Sequence, residues 1–239
     1  SYSTPPPPPP ILHYPPVIML GLIIYRFAGK LYRRFVQGDK SDDLIVGADV
    51  GDEAQVKALV ECCVERYGGL SVACNSAAVS RGFGQIHTYD RGVFDSTLEL
   101  CLTNTFLCLK HEVEAMLKAE GGSIVNISSN ASLRGQPYNT AYAAAKSGVN
   151  TLTLSSASEY GHKGIRINAV SPGVIRTPGV ERYMQEQPKI AEGLKQAAVM
   201  RRLGEAEEVA EAVCFLLSLA ASFFTGQVLG ANGGAWMGG

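Results

Sequence analysis

Apolar and polar positions alternate with two different periods along this chain. Between Asp52 and Gly69, the residues Val56, Leu59, Val60, Cys63, Val64 and Tyr67 recur at intervals of three and four, which predicts an amphipathic helix. Asp52 opens it with Gln55 three residues on, a capping-box spacing, and Gly68-Gly69 close it where a left-handed residue is easiest. Short apolar runs predict buried strands at Leu44-Ile45-Val46, Leu70 to Cys74, Ser123 to Ser129, Ile165 to Val170 and Gln227 to Leu229. Longer helical patterns lie between them, at about Arg91 to Lys118, Asn139 to Tyr160 and Ala206 to Leu219. Strand and helix in alternation, with strands that are apolar throughout, predict an α/β fold: a Rossmann-like, doubly wound parallel sheet in three layers, forming a single domain.

The amino end departs from this pattern. Residues 1–16, with Pro5 to Pro10 in a row and Pro15-Pro16 after them, read as an extended polyproline arm. The domain is expected over 17–239, atypical over 17–43. The apolar run Val17 to Tyr25 is about half the length of a membrane-spanning helix, and basic residues follow it instead of preceding it. That excludes a secretory signal and leaves at most a weak membrane association; Val17 to Tyr25 also suits a strand and Arg26 to Val36 a helix.

Composition narrows the function classes. A formal net charge of -1, from 21 basic and 22 acidic residues, gives no global field toward nucleic acid or anionic membranes. The 46% hydrophobic content fits a folded globular chain. Six cysteines, at 62, 63, 74, 101, 108 and 214, fall within apolar segments without a C-x-x-C pair, so they read as thiols in a reducing, cytoplasmic setting. No metal site is expected: His111-Glu112 lacks the second histidine of an H-E-x-x-H helix.

In an open parallel sheet, ligands sit beyond the carboxyl ends of the strands, so residues there carry the candidate chemistry. Asn75-Ser76-Ala77-Ala78 and Ser128-Ser129 follow two such strands. Either stretch alone is as well explained by turn formation. Tyr142 and Lys146 stand four apart on one helix face, where an ammonium beside a phenol is expected to lower the tyrosine pKa toward neutrality.

The combination of Ser129, Tyr142 and Lys146 with Asn75 before them and Pro172-Gly173-Val174-Ile175-Arg176-Thr177 after them resembles the short-chain dehydrogenase/reductase family. The likeness runs from about 44 to 234, through segments such as GADVGDEAQVKALVE, GGSIVNISS, AYAAAKSGV and GIRINAVSPGVIRTP. It implies an NAD(P)-dependent oxidoreductase that moves a hydride between nicotinamide and an alcohol or carbonyl substrate, with NAD or NADP as cofactor. By resemblance, Tyr142 is the general acid/base, Lys146 lowers its pKa and holds the cofactor ribose, and Ser129 hydrogen-bonds the reacting carbonyl. Cofactor contacts carry over to Asp49, Asn75, Ala77, Tyr142, Lys146, Pro172, Gly173, Ile175 and Thr177. Pro178 to Met200 matches the variable substrate lid, with Met184, Ile190, Leu194 and Met200 as apolar lining. The partners implied are a small alcohol or carbonyl compound and a second copy of the chain, as homodimer or homotetramer, packed through the helices at 91–118 and 139–160.

Departures accompany the likeness. The family's Gly-rich turn T-G-x-x-x-G-x-G is not found: before Asp49 only the scattered Gly21, Gly29, Gly38 and Gly47 occur. One strand-helix unit is missing by this count, so about six strands are expected instead of seven. The family's N-N-A-G is Asn75-Ser76-Ala77-Ala78; Cys101 stands where a catalytic asparagine anchors a proton-relay water, Asn104 where a glycine is usual, and Asn232 for the aspartate of a closing V-D-G-G. Two readings follow: an active oxidoreductase, or a relative that keeps the fold and oligomer interface but has lost dinucleotide binding.

Overall fold

The computed structural model describes residues 17–20 and 46–238. The Pro-rich arm, Leu44-Ile45 and the helix expected at Arg26 to Val36 lie outside them. Among the described residues the sheet has five strands: β1 (Val17–Leu20), β2 (Val72–Asn75), β3 (Gly122–Ile127), β4 (Ile165–Pro172) and β5 (Val228–Ala231). All pair in parallel, in the order β1-β2-β3-β4-β5. The front of the apolar run at Val17 is therefore a sheet strand, with Val17 opposite Val72 and Leu20 opposite Asn75. Val46 is not in a strand, so the element expected at 44–46 is not seen in its described part.

Both sheet faces are covered, because successive strand residues point to opposite sides and both sets are apolar. Ala73, Ile124, Ile165 and Ile167 join one core with Val56, Val60 and Cys63 of α1 (Glu53–Tyr67), and with Leu107, Val113 and Met116 of α3 (Asn104–Lys118). Val72, Cys74, Val125 and Val170 join the other with Val209, Val213 and Leu217 of α7 (Ala206–Leu217). This is the three-layer arrangement expected from continuously apolar strands.

Local chemistry sets the helix ends. Asp52 caps α1 by accepting from the backbone N–H of Ala54 and Gln55. Gln55 does not complete a reciprocal box: its carbonyl accepts from the N–H of Asp49, and its amide donates to Asp52 Oδ2. Gly68 ends the helix at φ 80°, in the left-handed region. The long stretch predicted at 91–118 is α2 (Arg91–Leu98) and α3, joined by a five-residue π turn, Glu99–Thr103. α4 (Thr140–Tyr160) runs against β4, and α5 (Pro178–Glu186) and α6 (Pro188–Gln196) form the segment expected to be a lid. Neither lid helix has a buried residue, so little apolar packing fixes them to the body.

Candidate active site

β3 and β4 end side by side, with Asn126 opposite Ala169 and Ile127 opposite Val170. Beyond their carboxyl ends opens a cleft of about 610 Å³. Ser129, Tyr142, Pro172, Gly173 and Ile175 line it together, so five of the residues picked from sequence converge from three different elements. Leu194 and Met200 of the lid region also line it, whereas Met184 and Ile190 do not. The far wall is Gly230 to Gly233 with Ala235, where Asn232 accepts from the N–H of Gly234 and donates to the Trp236 carbonyl.

Lys146 lies behind Tyr142. It is 1% exposed, and its ammonium donates to the Ile127 carbonyl at 2.7 Å and sits 5.8 Å from the Tyr142 ring centroid. Burial pulls its pKa from the usual 10.5 to about 8. Of its three N–H donors one is engaged by Ile127. Tyr142 corrects the sequence expectation: burial pushes its phenol above the ordinary range, a hydrogen bond with Ser129 pulls the other way, and the ammonium is not what sets it. The Lys146 ammonium sits over the ring with one donor given to a strand carbonyl, and burial outweighs its pull on the phenol.

Cys101 is fully buried in the π turn, its thiol 3.3 Å from the Val79 carbonyl and close enough to act on both Tyr142 and Lys146. This places it at the site, as its alignment requires, but the thiol is spent on the loop after β2. Asn104 ties the same loop by donating to the Ala77 carbonyl at 2.9 Å, a part for which a glycine has no side chain.

The other cofactor candidates do not line the cleft. Asn75, at the end of β2, donates to Glu112 and Asn126 inside the fold. Asp49 sits in the turn before α1 and accepts from the N–H of Gly51. Thr177 caps α5 through the N–H of Val180. Sequence reasoning missed Arg134, which lines the cleft, and the Arg202–Glu208 pair, bidentate at 2.7 Å, on the same wall. Glu205 and Glu208 form a capping box at the start of α7, and nothing in the sequence ties Arg202 to it.

The buried ammonium with donors to spare, behind the cleft-lining Tyr142, fits a dinucleotide's ribose hydroxyls. Residues 26–235 match the family model described as enoyl-(acyl carrier protein) reductase. Levodione reductase of Leifsonia aquatica is 41% identical over 192 residues, covering 78% of this chain and 72% of that protein. A 2,5-dichloro-2,5-cyclohexadiene-1,4-diol dehydrogenase of Sphingobium indicum is 38% identical over 187 residues, 78% and 75% of the two chains. The solved structure of ElxO with NADP bound superposes with a TM-score of 0.80 at 30% identity, covering 92% of this chain and 87% of that one. With the parallel sheet, the cleft at its carboxyl edge and these matches together, the chain belongs to the short-chain dehydrogenase/reductase family of NAD(P)-dependent oxidoreductases.

Proposed function

We propose that the protein interconverts a compact, mostly apolar alcohol and its ketone or aldehyde, with Tyr142 as the proton donor and acceptor. The observation that carries this reading is the convergence of Ser129 and Tyr142 on one cleft with Lys146 buried directly behind. It favours the active reading over a fold kept without its chemistry. Ala131, Pro137, Val174, Ile175 and Leu194 support an apolar substrate, as does a relative named for a cyclohexadiene-diol.

The nicotinamide, when bound, supplies or accepts the hydride. Lys146 would hold its ribose through the donors that Ile127 leaves free. Pro172, Gly173 and Ile175 would flank the nicotinamide; Asn75 at the end of β2, and Ala77, Thr177 and Asp49 in the adjoining loops, would serve the site from beside it. Ser129 orients the substrate oxygen by hydrogen bonding. Tyr142, protonated at neutral pH because burial raises its pKa, donates its phenolic proton to the oxygen of a carbonyl substrate as the alcohol forms. In the reverse direction the phenol must first lose that proton, so alcohol oxidation is favoured as pH rises. Exposed Phe106 on α3 and Leu154 on α4 support association of copies through these helices.

The test is titration of the protein with NADH and NADPH by nicotinamide fluorescence, followed by turnover with alcohol and ketone panels. Binding of at least one nucleotide is expected, with Tyr142→Phe keeping that affinity while turnover falls by about 10²- to 10⁴-fold. No binding of either nucleotide overturns the reading.

A further inference from the structure

A second buried ionisable group lies outside the cleft and takes no part in the chemistry above. Glu112, on the face of α3 that meets the sheet, is 0% exposed. Its Oε2 accepts from Asn75 Nδ2 at 2.9 Å, and the same amide donates to Asn126 Oδ1 at 3.0 Å. Asn126 Nδ2 in turn donates to Thr153 Oγ1 at 2.9 Å, and Thr153 donates to the Val149 carbonyl at 2.8 Å. This chain of contacts crosses from α3, through the carboxyl ends of β2 and β3, to α4, the helix that carries Tyr142 and Lys146.

The cluster has too many acceptors for its donors. Both N–H groups of Asn75 are used, yet Asn75 Oδ1 and Glu112 Oε1 are buried without a partner among the described residues. A carboxylate would add a buried charge to this surplus, with no hydrogen bond from a cationic side chain among the described residues. The titratable groups whose ionisation Glu112 disfavours are the thiols of Cys74, from β2, and Cys108, one turn earlier on α3. Burial raises both, so both are neutral. The charged residues beside it on α3 are turned to other partners: Lys110 and His111 bond Glu53 of α1, and Glu114 bonds Lys118. A proton on the carboxyl would convert one surplus acceptor into the missing donor.

We propose that Glu112 is a positioning residue that works as an uncharged carboxyl, holding Asn75 at the end of β2 and, through Asn126 and Thr153, the helix that bears Tyr142 and Lys146. Burial, which lifts its pKa from 4.5 to about 7, agrees with this assignment. Ionisation near and above neutral pH then loosens the frame on which the cleft stands. Only the step from frame to cofactor rests on the functional reading above.

Glu112→Gln keeps the shape and adds a permanent donor, whereas Glu112→Asp withdraws the carboxyl by about one methylene from Asn75. Three readouts on the full chain decide the matter. Melting temperature is compared between wild type and Glu112→Gln from about pH 5 to about pH 8. Wild type is expected to lose stability relative to the variant as pH rises toward about 7; parallel curves overturn the uncharged assignment. Amide hydrogen exchange at one acidic pH is then followed in 72–78 and 140–160, with α1 as control. Glu112→Asp is expected to raise exchange by about tenfold in both segments and Glu112→Gln to leave it unchanged. Equal behaviour of the two variants, or a rise confined to α3, overturns the positioning role. Neither readout needs a cofactor, so a chain that binds neither nucleotide would sink the functional reading and leave this one to stand or fall separately. Where a nucleotide does bind, its Kd is expected to weaken about fivefold in Glu112→Asp and within twofold of wild type in Glu112→Gln; an unchanged Kd in Glu112→Asp overturns the link to the site.

Discussion

Lys146 on α4 and Glu112 on α3 are two buried ionisable groups packed against the same sheet, one basic and one acidic. Burial drives both toward their neutral forms, Lys146 down to about 8 and Glu112 up to about 7. Their hydrogen bonding separates them. Lys146 gives one donor to Ile127 and lies behind Tyr142, which lines an open cleft, while Glu112 is closed in by Asn75 and the thiols of Cys74 and Cys108. Spare capacity beside a cleft belongs to a ligand, and spare capacity inside the fold belongs to the frame. The desolvation is similar in kind; the direction in which each group is left unsatisfied differs.

The sharpest way to break this comparison is Lys146→Met. Loss of the ammonium is expected to lower kcat/KM by about 10²- to 10³-fold in steady-state turnover, without unfolding the chain. The same variant tests the opposite pH signs of the two groups. Between about 8 and the ordinary 10.5, the unfolded chain binds the lysine proton and the folded chain does not, so wild-type stability rises through that window. Lys146→Met should erase that rise, on the order of 3 kcal/mol by urea unfolding. For Glu112 the window lies between 4.5 and about 7, and there stability falls as pH rises.

Glu112→Ala comes next. It leaves the Asn75 amide without one of its two acceptors and a hole beneath α3, and about 2 to 3 kcal/mol of stability should go with it. A smaller effect is expected of Gly148→Ala, at the contact between α4 and the π turn. A Cβ there would lie 2.8 Å from Leu102 Cδ2, so Leu102 must move, at about 1 to 2 kcal/mol. Asp52→Ala is the control outside both regions: loss of the α1 cap should cost about 1 kcal/mol in urea titration and leave turnover unchanged.

The difference between the two groups also governs what was readable in the sequence. Tyr142 and Lys146 are four residues apart on one helix, so their spacing states their proximity, and α1 was legible because Val56, Val60 and Cys63 keep one face to the core. The frame is written at long range. Glu112 meets Asn75 37 residues away and Asn126 meets Asn75 across 51, so in the sequence Glu112 appears only as half of a failed metal motif. The shift of Tyr142 runs against the sequence expectation for a related reason: spacing shows that a lysine is near but not how deeply the phenol is buried. The π turn at Glu99–Thr103 was likewise invisible, since one extra residue per turn changes which face is buried without changing composition.

The order of the strands also bears on how the chain reaches this state. Among the described residues each strand pairs only with those next to it in sequence, so the sheet can lengthen strand by strand as the polypeptide leaves the ribosome. The cleft does not follow that schedule. Its far wall is Gly230 to Gly233 with Ala235, at and beyond β5, while Ser129 and Tyr142 are made much earlier in the chain. A nascent chain thus carries Ser129, just beyond β3, and Tyr142, on α4, well before it has anywhere to hold a substrate, and the pocket closes only when β5 docks.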